Sequence, residues 1–146
     1  MSGDYSDKVE KEVAPLILAL LELHTNSAQV KDCLESSGHQ ISVVNSFVKA
    51  KTILVAEKID LVISDVHLEN GGDVFDFLRW IKKNKKTAHI PFVLFSSEPS
   101  PTAKILSDGV RTAARILGAA KYIEMDFFDS DKFAEQIRAF LPDKRD

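Results

Sequence analysis

The chain has few of the residues that cross-link or interrupt a fold. Its 146 residues include one cysteine, six glycines and five prolines. Cys33 alone cannot form an internal disulfide and makes a structural zinc site implausible, which favours a reducing compartment; we expect its thiol to be a small buried apolar group. With 45% apolar residues, the length suits one compact domain whose core needs no covalent support.

Long apolar runs and a strong charge excess are also missing. The longest apolar run, Ala14 to Leu21, is too short to cross a bilayer. The first twelve residues lack the apolar segment of a secretory signal. Twenty-two acids against nineteen bases give a formal charge of −3, which offers no attraction to nucleic acid. We therefore expect a cytoplasmic protein without a membrane or nucleic-acid partner.

Apolar runs of strand length alternate with stretches of helical spacing. The five runs are Leu16–Leu21, Ile41–Val44, Leu61–Ile63, Phe92–Phe95 and Tyr122–Met125. Because strands that alternate with helices form parallel sheets, the pattern predicts an α/β fold with a five-stranded parallel sheet between helices. We expect one domain over residues 14–142, a flexible tail over 1–13 and a charged tail over 143–146.

Five helices are expected between and after these strands. Each is predicted from a polar or proline start and an apolar side. They run from Thr25 or Asn26 to Gly38, from Ser46 through Val55, from Asp73 to Lys85, from Pro101 to Gly118 with Ile105, Leu106, Val110, Ala113, Ala114 and Leu117 on the apolar side, and from Asp129 or Ser130 through Phe133, Ile137, Phe140 and Leu141.

The third apolar run ends in a carboxylate, Asp65, shortly before Gly71 and Gly72. In an open α/β sheet, the carboxyl ends of the strands are where chemistry or ligand binding is placed. Asp65 is therefore the leading candidate for a functional residue. The alternative is that Asp65 only caps a turn or the following helix.

Several segments together carry a resemblance to a known family. They are Asp60–Asp65, Phe75–Ile81, Ile90–Ser96 and Gly118–Tyr122. Over about Pro15 to Leu141 the chain resembles the CheY-like receiver domain of two-component response regulators. The resemblance implies a flavodoxin-like, doubly wound (βα)5 fold. It also implies that Asp65 accepts a phosphoryl group from a phosphohistidine, with Ser96 as the switch hydroxyl and Tyr122 as the switch aromatic.

The resemblance also implies a magnesium site and shows where this chain departs from the family. Receivers usually hold magnesium with an acidic pair after the first strand, where this chain has Leu21 and Glu22. The implied ligands are thus Glu22, Asp65 and the backbone carbonyl of His67. Met125 stands where the family has a lysine, and a thioether cannot offset phosphate charge. We expect transfer or switching to be impaired.

The function implied is phosphorelay signal transduction through protein contacts, without enzymatic activity. The implied partners are a sensor histidine kinase or phosphotransfer protein, an unknown downstream protein, and a second copy in a homodimer. Two alternatives stay open. One is a phosphorylation-independent pseudo-receiver that acts as an interaction module. The other is a small α/β enzyme with Asp65 as a covalent nucleophile, although no acid partner for it is visible.

Overall fold

The computed structural model describes residues 15–21, 27–66 and 73–142, which alternate between strands and helices. The strands are β1 (Leu16–Leu20), β2 (Gln40–Val44), β3 (Leu61–Asp65), β4 (Phe92–Ser97) and β5 (Lys121–Met125). The helices are α1 (Ser27–Ser36), α2 (Phe47–Ala56), α3 (Val74–Lys83), α4 (Pro101–Ile116) and α5 (Ser130–Arg138). All strand pairs are parallel, in the order β2-β1-β3-β4-β5. The predicted α/β class and parallel sheet are confirmed.

The sheet is buried on both faces because its strands carry apolar residues at successive positions. In β1, Ile17 and Ala19 join a core with α1 and α5. Leu18 and Leu20 face the opposite way, into a core with α2, α3 and α4. Helices thus cover both faces, as expected for parallel strands with near-continuous apolar runs. The carboxyl ends of the strands, which meet at one edge, are where polar side chains can gather.

Several of the predicted helix starts and stops are confirmed. Ser46 and Asp129 accept hydrogen bonds from the first-turn backbone of α2 and α5. Pro101 opens α4 behind the N-cap Ser100. Gly118, after α4, has φ of 106°, a conformation that glycine adopts without strain. These signals depend only on local backbone geometry, so sequence locates them well. Thr25 and Asn26 lie outside the described residues.

Two helices are shorter than predicted. The third predicted helix ends at Lys83 instead of Lys85, because Asn84 leaves the helical conformation and a tight turn follows. The last ends at Arg138. Phe140 and Leu141 therefore follow the helix, although both still pack against the core. Apolar spacing located these contacts but misplaced the helix boundary.

The predicted apolar side of α4 is wrong in the first half of the helix, whereas its predicted apolar residues from Val110 onward are half-buried or buried. Ile105 and Leu106 are 81% and 57% exposed, and Ala114 is the helix's buried residue. The helix meets the sheet mainly at its neighbour β5, and Ile105 and Leu106 have no sheet to cover. With 16 residues it is the longest described helix. Among the described residues, no helix is long and apolar enough to span a membrane.

Cys33 is half-buried, whereas the sequence predicts burial. Its thiol donates a hydrogen bond to the Ser130 carbonyl oxygen at 3.2 Å. Burial raises the pKa of the thiol, and the charge of Asp131 adds to this effect. The side chain therefore helps to join α1 to the start of α5 in its protonated form.

The turn between α3 and β4 is held by a buried hydroxyl. Thr87 is fully buried, and its Oγ1 donates to the carbonyl oxygen of Ile81 at 2.6 Å. Beside it, the Lys82 ammonium donates to the carbonyl oxygens of Ala88 and Ile90, both at 3.1 Å. The C-terminal carbonyls of α3 and the following turn are thus paired, which a buried helix end requires.

We predict that Thr87→Val lowers the free energy of unfolding by about 1–3 kcal/mol, because the Ile81 carbonyl would lose its buried partner. The matched control is Thr52→Val. The Thr52 hydroxyl donates to the Val48 carbonyl at an exposed site, where water can replace it, so we expect a loss below about 0.5 kcal/mol. Urea unfolding measures both. Equal losses in the two variants would contradict the importance of the buried bond.

Candidate functional site

Among the predicted site residues that the structure describes, Asp65 and Ser96 lie at the carboxyl edge of the sheet. Asp65 is the last residue of β3 and pairs in register with Phe95 of β4. Ser96, the next residue of β4, pairs with Glu124 of β5. Asp65 and Ser96 are therefore on adjacent strands and one step apart in register. Both are half-buried, whereas the residues before them are fully or almost fully buried.

Tyr122 lies two positions before Glu124 in β5, so the two side chains project from the same face. The Tyr122 hydroxyl is 3.3 Å from Oε1 of Glu124 and donates to it. The Ser96 hydroxyl also hydrogen-bonds the Tyr122 hydroxyl. The structure thus brings Ser96 and Tyr122 together, with Glu124 as a third member that the sequence analysis missed.

Charges and burial around Tyr122 act on its ionisation in opposing directions. Burial raises the pKa of the phenol most strongly, and the carboxylate of Glu124 raises it further. The hydrogen bond from Ser96 and the charge of Arg111 lower the pKa. The Arg111 guanidinium lies over the tyrosine ring, 4.9 Å from its centroid. The net effect is a raised pKa, so the hydroxyl keeps its proton at neutral pH.

At the end of β5, Met125 occupies the position where the resemblance implies a lysine. Met125 is 8% exposed and belongs to the core that faces α1 and α5. Its carbonyl oxygen accepts a hydrogen bond from the backbone of Glu98 at 2.7 Å. Glu98 has φ of 51°, so this contact holds the loop after β4 in an uncommon conformation. The apolar side chain that replaces the lysine implied by the resemblance is therefore packed into the core.

The residue after Met125 is Asp126, and its carboxylate forms an ion pair. Asp126 Oδ1 lies 2.7 Å from Nζ of Lys104, in the first turns of α4. The hydrogen bond with Asp126 is the main reason that the pKa of Lys104 is raised. Both side chains are about half exposed or more, so the pair contributes little to stability. It does link the start of α4 to the end of β5.

Of the three metal ligands implied by the resemblance, the structure describes Asp65 alone. Glu22 and His67 lie outside the described residues, and Leu21 is buried at 1% exposure with its N–H bonded to the Val44 carbonyl at 3.0 Å. Among the described residues, no three His, Cys, Asp or Glu side chains are grouped to hold a metal. Asp65 supplies carboxylate oxygens of the kind that magnesium prefers. The other two ligands that the resemblance implies, Glu22 and the His67 carbonyl, lie in segments that the structure does not describe.

The sequence analysis missed two contacts of Tyr122, and only one of them could have been inferred from the sequence. Glu124 could be inferred to share a face with Tyr122, since side chains alternate along a strand. Arg111 comes from α4, and its position over the ring depends on how that helix lies against β5. Only the tertiary structure reveals the Arg111 contact.

A large described cavity lies away from this edge. It has a volume of about 470 Å³ and is enclosed mainly by α1, α5 and the segment before α5. Its walls include Cys33 and Asp131 but none of the three predicted site residues that the structure describes. We take the strand edge as the candidate site, because the carboxyl ends of parallel strands carry the chemistry in such folds.

We predict opposite shifts in the pKa of Tyr122 from two neutral substitutions. Glu124→Gln should lower the pKa because it removes a nearby negative charge, and Arg111→Gln should raise it because it removes a positive one. Absorbance titration in a Tyr5→Phe background isolates the phenol of Tyr122. Arg79→Gln, whose arginine pairs with Asp76, is the control and should leave the pKa unchanged. Shifts of the same sign in both test variants would contradict this arrangement.

Comparison with known proteins gives a relative by sequence and many by structure. The chain is 31% identical over 99 residues to the two-component response regulator ORR3 of Oryza sativa, in both the indica and japonica subspecies. The match covers 66% of this chain and 74% of the relative. A search of family models found no match.

Solved structures share the fold at low sequence identity. The chemotaxis protein CheY4 of Vibrio cholerae aligns with a TM-score of 0.71 at 17% identity, over 88% of this chain and 99% of its own. The receiver domain of the sensor histidine kinase PA1611 of Pseudomonas aeruginosa, which has magnesium coordinated in its active-site cleft, aligns with a TM-score of 0.70 at 16% identity, over 87% and 97%. The flavodoxin-like receiver fold is confirmed.

These similarities support one of the functions that the sequence left open. The relative by sequence is a response regulator, and the fold is that of receiver domains, which are signalling modules. Nothing in the described residues or in these relatives favours a phosphorylation-independent module. The chain belongs to the two-component response regulators and acts in phosphorelay signal transduction.

Proposed function

We propose that Asp65 is the phosphoryl acceptor of this response regulator. The main support is its position as the last residue of the buried central strand β3, where it pairs with Phe95, the residue before Ser96, in β4. In the transfer, the N–P bond of a phosphohistidine breaks and an O–P bond forms to a carboxylate oxygen of Asp65. The imidazole leaves with the electron pair and takes up a proton. A sensor histidine kinase or a phosphotransfer protein would be the donor.

Glu22, Asp65 and the backbone carbonyl of His67 would hold a magnesium ion. A divalent cation at this edge would offset the charge of the incoming phosphoryl oxygens. Asp65 would then both bind the metal and attack phosphorus, so it must be ionised. The buried Leu21 removes one of the two acids that receivers usually place here, which leaves Glu22 as the acidic residue after β1.

Ser96 and Tyr122 would report the phosphorylation state to the protein surface. The Ser96 hydroxyl now bonds the Tyr122 hydroxyl, and a phosphoryl group on Asp65 would compete for it as a stronger, charged acceptor. Tyr122 would then keep Glu124 as its partner and shift against α4. This movement would alter the surface formed by α4 and β5, where a downstream protein or a second copy of the chain would bind.

The signalling unit would be the domain over residues 14–142, with tails over 1–13 and 143–146, and it would act in the cytoplasm. Its proposed partners are proteins, and it would catalyse no reaction on a small substrate. The composition supports this proposal, because a formal charge of −3 gives no general attraction to nucleic acid.

We predict that acetyl phosphate with magnesium adds one phosphoryl group to the protein, and that Asp65→Asn abolishes the addition. An amide cannot act as the acceptor. Intact-mass spectrometry measures the product, and omission of magnesium should also prevent its formation. Asp126→Asn is the control, since it removes another carboxylate from the same sheet edge and should leave labelling intact. Labelling that survives in Asp65→Asn would refute the assignment.

We predict that Met125→Lys accelerates labelling at least about tenfold, because an ammonium group near the acceptor would stabilise charge in the transition state. Met125→Leu keeps the side chain apolar and should label at the rate of the natural protein. Thermal unfolding would establish that both variants are folded. A folded Met125→Lys protein that labels no faster would show that the cation is not what limits transfer.

A further inference from the structure

A cationic cavity lies beside Tyr122, between the second half of α4 and the start of β5. It encloses about 240 Å³ and is lined by Arg111, Arg115, Lys121, Tyr122 and three alanines. None of the described lining residues is acidic. The protein as a whole is acidic, with a formal charge of −3. The lining of this cavity is therefore positively charged, whereas the protein as a whole is negatively charged.

Ordinary structural roles account for only part of this charge. Arg115 lies in the last turn of α4, where the helix dipole favours a cation. Arg111 lies a full turn earlier and pairs with Asp108 at 3.0 Å. The Asp108 side chain is 96% exposed, so this pair is weak and leaves guanidinium donors available. Lys121 opens β5 and is exposed, and no ion pair is described for it.

The geometry of the cations favours a compact anion with several oxygens. Arg111 and Arg115 are four residues apart, so both project from the same side of α4. Two guanidinium groups can each donate two parallel hydrogen bonds to phosphate oxygens. Lys121 adds a third cationic residue to the lining from the neighbouring strand. The volume is below the roughly 300 Å³ at which pockets for larger organic ligands begin.

We propose that this cavity binds a small ligand through a diphosphate group, held by Arg111, Arg115 and Lys121. The site is separate from Asp65 and Ser96, neither of which lines it. Arg111 links the two, because its guanidinium also contacts the Tyr122 ring at 4.9 Å. An anion that draws Arg111 away from the ring would change the environment of the proposed switch. That regulatory role rests on the proposed function of Ser96 and Tyr122, whereas binding itself does not.

The test is a titration of the full chain with inorganic pyrophosphate, monitored through amide chemical shifts. It is done in about 0.15 M salt, where weak surface attraction is screened. We expect saturable shifts at Arg111, Arg115 and the segment 119–122. Arg115→Gln and Lys121→Gln should each weaken binding at least about fivefold, and the double variant at least about tenfold, because charge-assisted contacts are lost. The control is Arg79→Gln, because Arg79 is also exposed and forms a similar i,i+3 pair, with Asp76. This variant should bind pyrophosphate as the natural protein does.

Three results would overturn the proposal. Shifts that rise linearly with concentration and are reproduced by sulfate would indicate screening alone. Equal affinity in Arg115→Gln, Lys121→Gln and the natural protein would place the ligand elsewhere. Tighter binding of a short polyglutamate peptide than of pyrophosphate would assign the cavity to an acidic protein partner instead. Asp65→Asn should bind pyrophosphate normally, so failure of phosphorylation and failure of this site can be told apart.

Discussion

The parallel pairing of five strands is the constraint on which the rest of the structure depends. Parallel strands need crossover helices, and these helices cover both faces of the sheet, so every central strand must be apolar on both sides. In β3, all side chains before Asp65 are buried. Backbone hydrogen bonding then brings the carboxyl ends of all strands to one edge. That edge is where a half-buried carboxylate can remain accessible to a phosphoryl donor.

The chemistry at this edge is set by what surrounds the carboxylate. Hydroxyl groups are present in Ser96 and Tyr122, and Glu124 is a third polar group, whose charge adds to the larger effect of burial in raising the pKa of the phenol. Cationic support is weaker, since Met125 is apolar and Asp126 is paired with Lys104. An acceptor with little fixed positive charge nearby depends more strongly on a bound divalent ion. The chain thus keeps the fold of a response regulator, while the edge that holds the proposed acceptor, Asp65, has little fixed positive charge.

Helix α4 connects the edge to the surface. Its start is tied to the end of β5 by the Lys104–Asp126 pair, and its second half contacts Tyr122 through Arg111. Its outer side leaves Ile105, Leu106 and Ile116 exposed. The ion pair at its start is exposed, and its contact with the sheet is mainly with β5.

The amino-acid sequence by itself determined the order of strands and helices, the parallel class and the position of Asp65 at a strand end. These properties follow from apolar periodicity and local caps such as Ser46 and Asp129, which act over a few residues. Only the tertiary structure decided that Ile105 and Leu106 are exposed, that Phe140 packs beyond its helix, and that Arg111 lies over Tyr122. Those outcomes depend on how far each helix overlaps the sheet and which neighbour it meets. Contacts between elements distant in sequence carry no local periodic signal.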